Sequence, residues 1–330
     1  MTADHPPLVL ALDVGGTKTS VAVVRGMPTE GLVTLAPPVR FQTPRDPGAF
    51  LDAVAVAAST MLPSGERLAA VGIGVPGPLD AVRGVVHSSP NIGWRDLSLA
   101  ALVSGRFGGV PVAIDDDANT GALGEAMAGA GRGYDPFAYL PLGTGLGAGI
   151  IVDGRIVRGA HGSAGEVGHM AVDERVGPRC ACGRRNCVEA WCAGAGLTRR
   201  AREVWPARRL ADGSPAPRDA AAVFALARRG DADAVALVTR ARHALARGMA
   251  TILAAFDPAA MTVGGTIAAA EPAFVRAAFM EGTRLVHHDV GHAAGRGRAG
   301  VRLHPPLLGD ASVLGGAAVL GARVAEAPRA

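Results

Sequence analysis

A chain of 330 residues can bury the cores of two domains. With 49% hydrophobic but only 4% aromatic residues and 46 glycines, the core has to be built from Ala, Val, Leu and Ile. The formal charge is +4, yet the arginines are scattered without interleaved aromatics, which argues against a nucleic-acid surface. Their small groups are Arg199, Arg200 and Arg202, Arg208 and Arg209, Arg228 and Arg229, and Arg296 and Arg298. No apolar run reaches membrane-spanning length, and the N-terminus lacks a basic-then-apolar leader. A cytoplasmic protein is expected. Lys18 is the only lysine, for which drift toward arginine is the plain explanation.

Residues 8–14, LVLALDV, read as a buried strand. Gly15-Gly16-Thr17-Lys18 and a second strand over residues 20–24 follow, so this is a hairpin and not a strand-to-helix nucleotide turn. The two glycines let backbone N–H groups approach a phosphate. Thr17 adds a hydroxyl, Lys18 a cation, and Asp13 a carboxylate able to hold a metal through water. An ordinary hairpin turn would use similar residues. Residues 46–62 have helical spacing, and residues 69–75 form a strand running into Pro76-Gly77-Pro78. HSSPNIGW, residues 87–94, reads as a polar loop in which Asn91 serves a sugar hydroxyl or simply a turn.

A strand over residues 110–114 ends in Asp115-Asp116-Asp117, and a helix is expected from Asn119 to about residue 130. Three adjoining carboxylates are costly together, which suggests a function. Asp117, near the helix N-terminus, is well placed as an anion or a cap. A strand over residues 138–142, the turn Gly143-Thr144-Gly145-Leu146-Gly147 and a strand over residues 149–152 echo residues 8–24 as a weak internal repeat. Asp153-Gly154 is a hairpin turn.

All four cysteines, Cys180, Cys182, Cys187 and Cys192, lie in or just after the stretch 162–189. Three thiols on a short loop with His169 upstream suit a tetrahedral structural Zn²⁺ site of His169, Cys180, Cys182 and Cys187. Cys192 replacing His169, ordinary buried thiols and a disulfide framework are the alternatives. Glu166 and Glu189, which the metal does not need, would form a rigid floor for a polar ligand.

Further on, residues 213–217 are a loop, and residues 219–256 are helical with a break at 229–231. MTVGGTI, residues 261–267, reads as a strand carrying Gly264-Gly265. A last strand covers residues 301–303, and Leu308-Gly309-Asp310 caps a small-residue helix over residues 311–325. Only seven residues precede the first strand, so no helix-turn-helix is expected there.

Gly165-Glu166-Val167-Gly168-His169 followed by Cys180-Ala181-Cys182-Gly183, Cys187 and Glu189 resembles the signature of the ROK family (repressors, open reading frames and kinases). Asn186 departs from it by standing where Gly is usual, and Asn tolerates positive φ better than most residues. The resemblance spans nearly the whole chain. It implies an α/β fold of two actin-like ATPase domains facing across a cleft, each with a ribonuclease H-like core. Residues 1–118 with 312–330 would form the small domain, and residues 119–311 the large one with the zinc loop.

The resemblance also assigns roles. Asp13, Gly15, Gly16, Thr17 and Lys18 match a first phosphate motif, Gly143, Thr144, Gly145 and Gly147 a second, and Gly264 and Gly265 the adenosine-binding glycines. Asp117 matches the catalytic base. Asn91, Asp116, Glu166, His169 and Glu189 would hold the sugar, with Asp116 standing where Asn is usual. The implied activity is ATP-dependent phosphorylation of a hexose, glucose first, with Mg²⁺ on the ATP and a structural zinc. A kinase for fructose or an N-acetylhexosamine, and a non-catalytic sugar-sensing regulator, are the alternatives. A homo-oligomer, dimer or tetramer, is implied, with no nucleic-acid or membrane partner.

Overall fold

Alternating large and small apolar residues in the first strand give a sheet with two different buried faces. Leu8, Leu10, Leu12 and Val14 point into a core with Phe50, Val54, Ile73 and Trp94. Ala11 points the other way, toward Leu314, Ala317 and Ala318. Each large side chain so buried contributes about 1.5–3 kcal/mol. The computed structural model describes residues 6–27, 31–172, 177–207, 209–210, 213–286 and 300–326. Arg208, Arg296 and Arg298 lie outside them.

The described residues form two compact units, one from Met1–Gly133, Gly149–Ala164 and Pro306–Ala330, the other from Tyr134–Ala148 and Gly165–Pro305. The first begins with β1 (Leu8–Val14), β2 (Lys18–Met27), β3 (Gly31–Thr34), β4 (Val39–Gln42), α1 (Pro47–Ser59) and β5 (Ala70–Gly74). It continues with β6 (Leu79–Asp80), β7 (Val85–Ser89), β8 (Trp94–Leu97), α2 (Leu99–Arg106), β9 (Val112–Asp115) and α3 (Asp117–Ala128). β10 (Phe137–Pro141) belongs to the second unit, and the hairpin β11 (Gly149–Val152) and β12 (Arg155–Ile156) to the first. The second unit continues with α4 (Val188–Cys192), α5 (Gly194–Val204), α6 (Ala220–Arg228) and α7 (Ala232–Phe256). β13 (Ala260–Gly264), α8 (Thr266–Ala270), α9 (Pro272–Leu285) and β14 (Arg302–His304) complete it, and α10 (Ser312–Glu326) belongs to the first unit.

In the first unit the strand order is β3-β2-β1-β5-β9, with β4 also on β2. β1 and β2 are antiparallel, whereas β5 runs parallel to β1 and β9 parallel to β5. α10 lies against α3 and β5 through small residues. A Cβ on Gly316 would stand 1.7 Å from the Thr120 carbonyl oxygen, and one on Gly72 1.8 Å from that of Ala317. Glu125, fully buried on α3, accepts from the Leu307 and Leu308 N–H groups and the Ser312 hydroxyl, tying the start of α10 to α3. In the second unit β10, β13 and β14 are parallel. Asp219 and Asp231 cap α6 and α7 by accepting from the Ala222 and Ala234 N–H groups. No described helix is long and apolar enough to cross a membrane.

Three local expectations change. HSSPNIGW is not a loop: His87 to Ser89 end β7, Trp94 starts β8, and only residues 90–93 turn. Burial of Ser89 and packing of Trp94 edge-on to Phe50 outweigh the polar composition. The helix expected from Asn119 starts at Asp117, because Asp116 caps it. The strand expected over residues 261–267 ends at Gly264, since Gly265, at φ 90°, opens α8.

Candidate active site and metal centre

Asp13, next to last in β1, stands beside the Gly15–Lys18 turn. The turn closes through the Gly15 N–H donating to the Lys18 carbonyl at 3.0 Å. Thr43 braces it from outside. Its hydroxyl donates to the Gly15 carbonyl at 2.7 Å, and its N–H donates to the Thr17 carbonyl at 3.0 Å. Thr17 and Lys18 are exposed at the tip. Asn91 packs on the turn, for a Cβ on Gly16 would stand 2.7 Å from the Asn91 Cβ.

The three adjacent aspartates have separate environments. Asp115, 1% exposed, accepts from the Asp116 N–H at 2.9 Å and the Asn119 amide at 3.0 Å. Its other oxygen accepts from Arg158 Nε at 2.7 Å and lies 2.6 Å from Arg158 Nη2. Asp116 is the N-cap of α3, accepting from the Ala118 N–H at 3.0 Å. Asp117, the first residue of α3, benefits from the helix dipole. Burial pushes the Asp13 carboxyl up to about 6, and the Asp117 charge adds to the rise. Lys18 and Arg40 pull it down, and Asp310 pushes it up. Asp13, Lys18, Asp117 and Asp310 are therefore one electrostatic group.

In the second unit, the turn Gly143–Gly147 is fastened by donors from neighbouring helices. The Gly194 and Ala195 N–H groups, at the start of α5, donate to the Gly143 and Thr144 carbonyls at 2.8 and 3.0 Å. These are helix N-terminal donors that no intrahelical carbonyl can satisfy. Glu189 of α4 accepts from the Leu146 N–H at 3.1 Å. The Leu142 N–H donates to the Gly264 carbonyl at 2.8 Å, and the Ile267 N–H to the Leu142 carbonyl at 3.1 Å. Gly143, Thr144, Gly145, Gly147, Gly264 and Gly265 thus gather at one place.

His169, Cys180, Cys182 and Cys187 converge, with one donor atom of each lying within 4.8 Å of all the others. A tetrahedral Zn²⁺ with about 2.3 Å bonds to sulfur and about 2.0–2.1 Å to nitrogen has S···S edges near 3.8 Å and S···N edges near 3.5 Å. Cys182 and Cys187 Sγ are 3.7 Å apart, and Cys180 Sγ and His169 Nδ1 are 3.6 Å apart, so the donor set fits such an ion. Cys192 lies outside this donor set. Burial pushes the Cys180 thiol up to about 12. Cys182 shifts downward: burial opposes this, but hydrogen bonds from the Arg184 backbone and the neighbouring thiols prevail. Asn186 adopts φ 66°, the conformation a loop glycine would supply. His169 Nε2 lies 3.8 Å from Glu166, and Cys180 Sγ 3.6 Å from Glu189 Oε1. Of the sugar-assigned residues, His169 is itself a metal donor and Glu166 and Glu189 border the donor set, while Asn91 and Asp116 stand in the first unit with Asp117.

Sequence reasoning missed Arg158, Thr43 and Asp310. Arg158 and Thr43 carry no local pattern, because their roles depend on partners 43 and 28 residues away. Asp310 was legible only as part of a cap.

The chain is 35% identical over 266 residues to a glucokinase of Streptomyces coelicolor, covering 78% of this chain and 81% of that protein. Its structure resembles a ROK hexokinase from Thermus thermophilus at TM-score 0.78 and 32% identity, covering 95% of this chain and 97% of the other. It also resembles a ROK family glucokinase from Streptomyces griseus, solved with glucose and AMPPNP, at TM-score 0.73 and 32% identity over 96% and 99% of the two chains. The ROK family model matches residues 9–323, and with this breadth of likeness the chain belongs to the ROK family, whose kinases have the actin-like ATPase fold.

Proposed function

We propose that the protein is an ATP-dependent hexose kinase that phosphorylates glucose at its 6-hydroxyl. The observation that carries this reading is the pairing of Asp117, at the N-terminus of α3, with the Asp13 and Lys18 turn. Asp117 takes the proton of the sugar hydroxyl as its oxygen attacks the γ-phosphorus. The bond from the γ-phosphorus to the β–γ bridging oxygen breaks, and ADP leaves. Arg158 neutralises Asp115, which leaves one fewer bare carboxylate near Asp117. Lys18 and the backbone N–H groups of the two glycine turns bind the phosphates. Mg²⁺ arriving with ATP would neutralise charge on the phosphates, and Asp13 is the carboxylate suited to hold it.

Asn91, Asp116, Glu166, His169 and Glu189 are the proposed sugar contacts. The cap made by Asp116 needs only an acceptor, which Asp and Asn both supply, so its exchange for Asn leaves the helix start intact. Zn²⁺ on His169, Cys180, Cys182 and Cys187 would be structural, since the donor set leaves no open position. The likeness to glucokinases, one of them solved with glucose, supports glucose as the substrate. A coupled assay with ATP across glucose, mannose, fructose and N-acetylhexosamines tests the proposal. Glucose should give the highest kcat/KM. Sugar binding without turnover would favour the regulator reading, and preference for an N-acetylhexosamine would overturn the substrate assignment.

A further inference from the structure

The second unit holds a cavity of about 770 Å³ walled in part by metal-loop residues Arg179, Arg185 and Asn186. Among the described residues, four guanidinium groups, from Arg179, Arg185, Arg200 and Arg240, line it together with Trp191 and a single carboxylate, Glu203. Glu203 is taken by Arg200, whose guanidinium also stands over the Trp191 ring, 5.4 Å from its centre. Among the described residues Arg185 reaches only the Gly177 carbonyl, at 3.4 Å. Among the described residues the Arg179 and Arg240 side chains have no acceptor. His243, also on the wall, is occupied by Glu281.

Two buried donors beneath the same wall also lack partners among the described residues. Asn186 is 4% exposed, and its Oδ1 accepts from the Trp191 indole at 2.7 Å. The indole can only donate, which fixes the amide orientation and leaves Nδ2 as the outstanding donor. Neither Asn186 Nδ2 nor Arg200 Nε has a partner among the described residues. Both atoms are covered by protein, so the groups that face the cavity are the exposed Arg179, Arg185 and Arg240.

Guanidinium forks match phosphate oxygens two at a time, and the indole offers a flat apolar face. The volume lies in the small-molecule range of about 300–1,000 Å³. One concave patch with a single aromatic residue does not follow a nucleic-acid strand. We propose that this cavity binds a small organic molecule carrying two or more phosphoryl groups. The site stands in the second unit by itself and needs no residue of the proposed catalytic machinery.

Inorganic pyrophosphate is the probe, titrated at low salt by calorimetry and by tryptophan fluorescence. Wild type should bind it with a fluorescence change that Trp191→Phe removes while the calorimetric heat persists. Arg240→Glu, an exposed change on α7, should weaken binding by at least about tenfold, as loss of a charge-assisted contact requires. Arg276→Glu on α9 makes the same charge change outside the cavity and should alter it less than about twofold. Hexose phosphorylation without pyrophosphate should be unchanged in both. Absence of binding to wild type at millimolar probe, or equal weakening by the two reversals, would overturn the proposal.

Discussion

The turn at Gly15–Lys18 is held by its own hairpin, whereas the turn at Gly143–Gly147 is held by helices α4 and α5. The first closes on a bond between Gly15 and Lys18 and a brace from Thr43, which follows β4 of the same sheet. The second depends on Glu189, Gly194 and Ala195. Glu189 in turn adjoins the metal donors through Cys180. Two similar glycine patterns therefore have unlike supports, and perturbations of the metal loop should separate them.

The largest effect is expected from the chemistry beside the first turn. Asp117→Asn should lower kcat by at least about two orders of magnitude while leaving glucose affinity nearly intact, as loss of a general base does. Steady-state kinetics with calorimetric binding of glucose checks this, and wild-type turnover would remove Asp117 from its role. At the second turn, Cys182→Ala should reduce bound zinc below about half an equivalent by elemental analysis and raise the KM for glucose. Retained metal with a raised KM would uncouple the loop from Glu189.

Breaking the Arg158 clamp should act on stability first. Arg158→Met leaves the buried Asp115 charge unpaired, and since Arg158 is 40% exposed the cost should be about 2–3 kcal/mol in urea unfolding. Asp116→Ala should cost about 1 kcal/mol as the cap is lost, and Asp116→Asn only a few tenths. Equal losses in the two would show that the charge, and not the cap, matters there.

The smallest effect concerns Asp13 and pH. Its carboxyl is raised from 3.8 to about 6, so the folded protein binds that proton more tightly than the unfolded chain. Ionising Asp13 therefore destabilises the fold, by nothing well below pH 4 and fully above about pH 6. Without nucleotide or Mg²⁺, Asp13→Asn should gain on wild type between pH 4 and pH 7, by on the order of 1–2 kcal/mol after allowing for partial exposure. A difference flat with pH would contradict the assigned shift.

How much of this was legible in the sequence depends on the range of the interactions. The β1–β2 hairpin, the Asp153-Gly154 turn and the break between α6 and α7 rest on neighbours in the chain, and their signals are local. The metal donors were legible because three of them fall within eight residues. The strand–turn–strand at HSSPNIGW was not, because its polar residues hide a pattern completed by Phe50. Nor was the division of labour among Asp115, Asp116 and Asp117. It is set by Arg158 and by the exact start of α3, and neither leaves a mark in the string of three aspartates.

Hydrogen exchange before and after chelation of the bound metal tests most directly whether the metal loop supports the second turn. Amides in residues 142–147 should lose protection by roughly tenfold or more as Glu189 relaxes, while those in residues 14–19 should stay within about twofold. Equal deprotection of both turns, or protection unchanged at Leu146, would contradict the account.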